Sequence, residues 1–180
     1  MSRKATGGRR AVFLDRDGVL NALVDRDGQQ SSPRRAVDFR VLPGVREAVQ
    51  SLRDLGFLVF VVSNQPDVSR GMLAREELDA MTALLRRAAV LDDVMVCPHD
   101  DPDGCTCRKP KPGMLIELAE RWGVDLRTSY MIGDTPKDIG AGVAAGCRTI
   151  QIGASTGCAV SPWRSVSVLS EAVAYIAADL

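Results

Sequence analysis

The chain has 180 residues, 46% of them hydrophobic, with 23 basic and 23 acidic side chains and a formal net charge of zero. That is enough apolar material for a packed core and argues against extensive disorder, while the absence of a basic excess argues against a nucleic-acid binder. No run of about 18 apolar residues is present to span a bilayer, and the short apolar run after the basic start MSRKATGGRR is too brief for a secretory signal, so the expectation is a cytoplasmic protein without a membrane segment.

Residues 1–10 read as a loose tail and 11–180 as one domain. Residues 11–15 (AVFLD) are an apolar run ending in an acid, the pattern of a buried strand. The tetrapeptide that follows, Asp15-Arg16-Asp17-Gly18, recurs as Asp25-Arg26-Asp27-Gly28. The second copy is read as a loop, because only the weak run 22–24 precedes it. Residues 45–55 carry apolar side chains at helical spacing between Pro43-Gly44 and Gly56. A strand at 57–62 (FLVFVV), a helix at 74–89 and a short strand at 94–96 come next. A helix at 113–122 is introduced by proline and stopped by Gly123. A strand at 130–132, a short helix at 138–145, a strand at 149–152 and a helix at 168–178 complete the chain. Alternation of this kind predicts an α/β fold, a parallel sheet with helices on both faces.

In such a sheet ligands bind beyond the carboxyl ends of the strands. Here those ends deliver Asp15-Arg16-Asp17-Gly18, then Ser63-Asn64-Gln65, then Cys97-Pro98-His99 leading to Arg108-Lys109-Pro110, and last Gly133-Asp134 with Asp138 behind it. Parallel strands bring these clusters to one edge, and the set suits phosphoryl transfer. Asp15, Asp17 and Asp134 are hard oxygen donors for Mg²⁺. Mg²⁺, Lys109, the Ser63 hydroxyl and backbone N–H groups after Asp15 would offset the charge of a phosphate approached by a carboxylate. A carboxylate nucleophile divides hydrolysis into formation and breakdown of an acyl phosphate, and a second acid, Asp17, can protonate the leaving oxygen and then activate water.

The motifs FLDRDGVLN, VVSNQ, CRKPKPGM and MIGDTPKD, in that order, resemble those of the haloacid dehalogenase (HAD) phosphatase superfamily, subfamily IIIA, over roughly residues 11–152. The resemblance implies a Rossmann-like three-layer sandwich with Asp15 as nucleophile and Asp17 as general acid/base. It implies Ser63 and Lys109 as phosphate-binding residues, with Mg²⁺ on Asp15, the Asp17 backbone carbonyl and Asp134. Lys111 also precedes a proline; the motif match favours Lys109. Within the superfamily the chain is similar to heptose bisphosphate phosphatases and histidinol-phosphatases, which carry a zinc loop before the lysine motif. The corresponding residues here are Cys97, His99, Cys105 and Cys107, a ligand set typical of structural Zn²⁺. Metal there would aim Arg108 and Lys109 at the phosphate, and Arg108 and Asn64 are expected at the substrate. Segments 16–43 and 97–111 are too short for a separate lid, so no large cap is expected.

Pro66-Asp67-Val68-Ser69, Thr135 and the segment 29–35 depart from the heptose pattern. The expected substrate is a small phosphorylated metabolite, a heptose bisphosphate first. Histidinol phosphate, a polynucleotide 3′-phosphate and a zinc-stabilised binding protein without turnover stand as alternatives. The expected state is a monomer or weak homo-oligomer. Cys147 and Cys158 read as thiols without an assigned role, and Trp122 and Trp163 as packing residues.

Overall fold

The computed structural model describes residues 8–153 and 160–180. Residues 1–7 of the expected tail, and Cys158, lie outside them. Arg9 pairs with the turn after the third helix: its N–H donates to Gly123 O at 3.0 Å, and its carbonyl accepts from Asp125 N at 2.9 Å.

The central strand, β1 (Ala11–Leu14), is buried along its whole length. A strand flanked on both sides and covered on both faces must be apolar throughout, which is why AVFL reads as a run and not as an alternation. A hairpin follows, β2 (Val24–Arg26) and β3 (Gln29–Ser31), then helix α1 (Val45–Asp54). Next come β4 (Leu58–Asn64), α2 (Arg75–Ala88), β5 (Asp93–Cys97), α3 (Gly113–Trp122) and β6 (Tyr130–Gly133). The chain ends with α4 (Pro136–Ala145), β7 (Arg148–Ile152), β8 (Arg164–Val166) and α5 (Leu169–Ala178).

Among the described residues the main sheet has six strands in the order β5-β4-β1-β6-β7-β8, all parallel. The chain leaves β1 to build β4 on one side and returns to build β6 on the other. The carboxyl end of β1 is therefore the switch point of the sheet, where a crevice must open. Register fixes what meets there: Leu14 lies beside Val61 of β4 and beside Ile132 of β6.

Side chains alternate between two cores. Val12, Leu14, Val59, Val61 and Ile132 pack with α1, α2 and α5, while Phe13, Phe60, Val62 and Met131 pack with α3 and α4. Helix α1 buries Val45, Ala48, Val49 and Leu52, the spacing of one helical face, and burial of each of its larger apolar side chains is worth about 1.5–3 kcal/mol. Among the described residues this is the HAD-like Rossmann fold without a large cap, as the sequence implies.

Two elements differ from the sequence reading. The second Asp-Arg-Asp-Gly is no plain loop: Asp27 (φ 54°) and Gly28 (φ 79°) form the tight turn between β2 and β3. Asp-Gly with both residues left-handed is the favoured two-residue hairpin connection. β8 is a polar edge strand, with Arg164 and Ser165 exposed, and carries no apolar run to announce it.

Candidate active site

Asp15 follows β1 directly, and its N–H donates to Ile132 O at 2.9 Å, extending the β1–β6 ladder by one rung. That rung holds the carboxylate at the switch point. Asp15 Oδ1 accepts from Lys109 Nζ at 2.6 Å, and the same ammonium donates to Val62 O at 2.8 Å and lies 2.5 Å from Asp138 Oδ1. Lys109 is only 2% exposed, and Lys111 instead reaches the carbonyl of Cys105. Asn64 clamps the Lys109 backbone, Nδ2 donating to its carbonyl and Oδ1 accepting from its N–H, both at 3.0 Å. The lysine is thereby fixed at both ends.

Asp138 is buried by the capping box at the start of α4, where its Oδ2 accepts from Thr135 N at 3.0 Å and from Thr135 Oγ1 at 2.6 Å. Gly133 permits this approach, since a Cβ there would sit 2.1 Å from Asp138 Cβ. Gly18, at φ +86°, leaves room for Asp134, whose Oδ2 would lie 2.2 Å from an added Cβ.

Asp17 has a different environment. Arg16 grips it, with Nη2 donating to Oδ1 and Oδ2 at 3.0 and 2.9 Å. Asn21 Nδ2 donates to Oδ1 at 2.9 Å, and Gln65 Nε2 donates to Oδ2 at 2.6 Å. Gln65 Nε2 also reaches Ser63 Oγ at 2.9 Å, joining the end of β4 to the turn after β1. Arg16, Asn21 and Gln65 escaped assignment from sequence. Arg16 sits between the two acids and Gln65 closes the VVSNQ run, but only the folded turn shows them meeting on Asp17.

The electrostatics separate the carboxylates. Burial pushes Asp15 up to about 8, against the pull of Lys109 and with a further push from Asp138 and Asp17. Burial, then Asp138, pushes Asp134 up to about 6. Burial opposes ionisation of Asp17 too, but Arg16 and the amide donors outweigh it and hold its carboxyl below the usual range. Burial would likewise lower the Lys109 ammonium, yet Asp138 and Asp15 outweigh it and push it up.

Asp15, Asp134 and Asp138 bring carboxylate oxygens within 4.8 Å of one another. One lysine cannot balance three acids, and Asp134 Oδ1 is buried with no hydrogen-bond partner among the described residues. A hard divalent cation satisfies both conditions, so the residues present fit Mg²⁺. The structure brings together Asp15 and Asp134, two of the residues expected at the metal, and places Asp138 beside them.

Beside this site lies a second cluster. Cys97 Sγ is 3.1 Å from Cys107 Sγ, 3.7 Å from Cys105 Sγ and 3.7 Å from His99 Nδ1, and His99 Nδ1 is 3.4 Å from Cys107 Sγ. Thiolates on one tetrahedral zinc, with Zn–S of about 2.3 Å, lie about 3.8 Å apart, so this donor set fits Zn²⁺. The cluster immediately precedes Arg108, whose Nε donates to Asp101 Oδ1 at 2.6 Å.

The crevice is a cavity of 410 Å³. Asp15, Asp17, Asn64, Arg108, Lys109, Asp134 and Asp138 line it, whereas Ser63 is buried outside the lining and its Oγ accepts from Gln65, which does line it. Its outer wall comes from the hairpin and the segment after it, from Pro66 to Arg70, and from the start of α4. An acid beside an ammonium, a second acid two residues on and a cation site are the parts that phosphoryl transfer through a carboxylate requires.

The model of the haloacid dehalogenase-like hydrolases matches residues 34–146. D-glycero-β-D-manno-heptose-1,7-bisphosphate 7-phosphatase of Rhodopseudomonas palustris is 37% identical over 150 residues, covering 77% of this chain and 80% of that one. The Escherichia coli K12 enzyme of the same name is 34% identical over 152 residues, covering 77% of this chain and 76% of that one. Among solved structures, the D,D-heptose 1,7-bisphosphate phosphatase of B. bronchiseptica, complexed with magnesium and phosphate, is similar with a TM-score of 0.81. Its identity is 29%, over 95% of this chain and 99% of that one. The Burkholderia thailandensis enzyme gives 0.66 at 25% identity, over 95% and 98%.

Proposed function

The chain belongs to the haloacid dehalogenase-like hydrolases as a phosphoric monoester hydrolase, and we propose that it removes one phosphate from a sugar bisphosphate, a heptose 1,7-bisphosphate first. The carrying observation is the Asp15–Lys109–Asp138 arrangement at the switch point, next to an orphaned Asp134 oxygen. Relatives at 34–37% identity over most of the chain support the substrate class.

In this reading residues 11–180 act as one catalytic domain. Asp15, Asp134 and the Asp17 backbone carbonyl hold Mg²⁺, which neutralises charge on the phosphoryl oxygens and lets an anionic nucleophile approach. Lys109 and the Ser63 hydroxyl hold the remaining phosphoryl oxygens, and Asn64 keeps Lys109 in place. Asp15 attacks phosphorus; the bond to the substrate oxygen breaks, and that oxygen takes a proton from Asp17. Water then attacks phosphorus, gives its proton to Asp17, and releases phosphate and free Asp15. Arg16, Asn21 and Gln65 hold Asp17 ionised, the form that accepts the proton of water. The negative charge of an arriving phosphate raises the proton affinity of Asp17 and readies it for the first half.

Cys97, His99, Cys105 and Cys107 hold structural Zn²⁺ in this reading and order the loop that presents Arg108 and Lys109. Among the described residues no helix is long and apolar enough to cross a membrane. The enzyme acts on a small metabolite in the cytoplasm, as a monomer or weak homo-oligomer.

The test is Mg²⁺-dependent phosphate release from a panel holding both anomers of heptose 1,7-bisphosphate, histidinol phosphate, other sugar phosphates and a 3′-phosphorylated oligonucleotide. A heptose bisphosphate turned over fastest is the expected result. Preference for histidinol phosphate or the oligonucleotide would replace the substrate and leave the phosphatase.

A further inference from the structure

Three arginines line the outer part of the cavity, and each is paired with an aspartate. Arg70 has all three guanidinium nitrogens engaged: Nε and Nη2 donate to Asp100 at 2.6 and 2.9 Å, and Nη1 donates to Asp67 at 3.2 Å. Arg108 is equally committed, through Asp101 at Nε, the His99 carbonyl at Nη1 and Asp100, 3.4 Å from Nη2. Arg34 is different. Only its Nε is engaged, donating to Asp67 Oδ2 at 2.6 Å, and its two terminal nitrogens have no protein partner among the described residues.

The segment that carries Arg34 is held in place. Pro33 is buried, Ala36 N donates to Glu77 Oε2 at 2.5 Å, and Phe39 is buried in the core. Asp67 thus fixes the direction of the Arg34 stem while the outer edge of its fork stays available. An Arg fork with two free N–H edges matches the oxygens of a phosphate or carboxylate in a bidentate way. Lys137, in the first turn of α4, also lines the cavity, is exposed, and has no hydrogen bond from its ammonium among the described residues. The rim therefore offers two cations with donors to spare, the terminal nitrogens of Arg34 and the ammonium of Lys137, and the cavity has room for a sugar-sized ligand with two phosphates.

We propose that Arg34, assisted by Lys137, binds a second anionic group of the substrate, a phosphate remote from the phosphoryl group that reacts. This rests on the phosphatase reading above and assigns the recognition of a bisphosphate over a monophosphate to the segment that follows the hairpin. Arg108 faces the same cavity but is held by its own acids, so the free donors come from Arg34.

The experiment compares kcat and KM for a sugar bisphosphate and for the monophosphate that lacks the remote phosphate, at saturating Mg²⁺. The proteins are the wild type, Arg34→Ala, Lys137→Ala and the double variant Arg34→Gln/Asp67→Asn. In the double variant an amide pair can still tie the segment to the turn after β4, without the charge. The wild type prefers the bisphosphate. Loss of one charge-assisted contact lowers that preference by about tenfold or more in Arg34→Ala, through KM more than kcat, with a smaller drop in Lys137→Ala. The double variant loses the preference too, and it carries the test if Arg34→Ala fails to fold. A folded Arg34→Ala or double variant with the wild-type preference would overturn the subsite and leave Arg34 as a tie between two loops. A wild type with no preference would overturn the subsite and the bisphosphate reading together.

Discussion

The two acids of the first motif lie two residues apart and are opposite in environment. Asp15 is desolvated beside a lysine and other carboxylates, while Asp17 is gripped by a guanidinium and two amides. Environments that differ this much fit the proposed division, one acid for attack and the other for proton transfer. Asp15→Asn keeps the shape and removes the nucleophile. Turnover should fall on the order of 10³-fold or more with the melting temperature nearly kept, measured by phosphate release and thermal unfolding on the same sample. Near-wild-type activity would sink the mechanism. Asp25 is the internal control. It lies in the exposed hairpin, where its Oδ1 accepts from Gly28 N at 3.0 Å, so Asp25→Asn should leave activity within about twofold and stability within about 0.5 kcal/mol. At this scale the motif residues were legible because each cluster lies at, or in the loop beyond, the carboxyl end of a sheet strand. Arg16, Asn21 and Gln65 were not, because their common partner is decided by how the turns fold.

The elements carry these residues to one place. Among the sheet strands that line the site, the apolar runs AVFL, LVFVV and YMI are long or pure enough to be read, and the structure alters their ends by a residue or two. The hairpin strands are three residues each and mostly polar, so no periodicity could reveal them; the Asp-Gly turn was the signal available. β8 was missed for the same lack of apolar content. The junction of β6 with α4 tests how tightly an element sets the chemistry. Gly133→Ala would drive a methyl to 2.1 Å from Asp138 Cβ, moving the carboxylate that faces Lys109. Overpacking of this kind costs about 1–3 kcal/mol, and the displaced pair should lower kcat at least about tenfold. Retention of full activity in Gly133→Ala would show that the Asp138–Lys109 geometry is not needed. In the proposed reading, metal on Cys97, His99, Cys105 and Cys107 orders the loop between them, beyond what the packing of these cysteines on the second core supplies. Stripping Zn²⁺ with a chelator, then restoring Mg²⁺ alone, should lower activity and loop order together, followed by zinc content and protease sensitivity. A zinc-free enzyme with full activity would contradict the positioning role.

Across the whole molecule the parallel alignment was legible from the alternation of strands and helices, and it was enough to predict that four separated motifs would converge. The rim was not legible, since the pairing of Arg34 with Asp67 joins residues 33 apart in a region without regular structure. Global stability also has a readable acid limb. Burial opposes ionisation of Asp93, but the Trp122 indole N–H, the Val94 N–H and Arg121 outweigh it and hold its carboxyl below the usual range. A folded value below the unfolded one stabilises the fold above the ordinary carboxylate pKa of about 3.9, and that stabilisation is lost as pH falls through the folded value. Asp93→Asn should therefore melt below the wild type at pH 7, with the gap closing below about pH 4. A gap independent of pH would show that the ionised carboxylate is not what ties β5 to α3. The most direct test of the central claim is chemical trapping of the intermediate. Enzyme quenched in acid during turnover of its phosphorylated substrate is reduced with borohydride, which converts an aspartyl phosphate to homoserine, and the peptides are mapped by mass. Homoserine at position 15, absent from Asp15→Asn, is the predicted result; trapping at another carboxylate, or none in an enzyme that turns over and accumulates the intermediate, would contradict attack by Asp15.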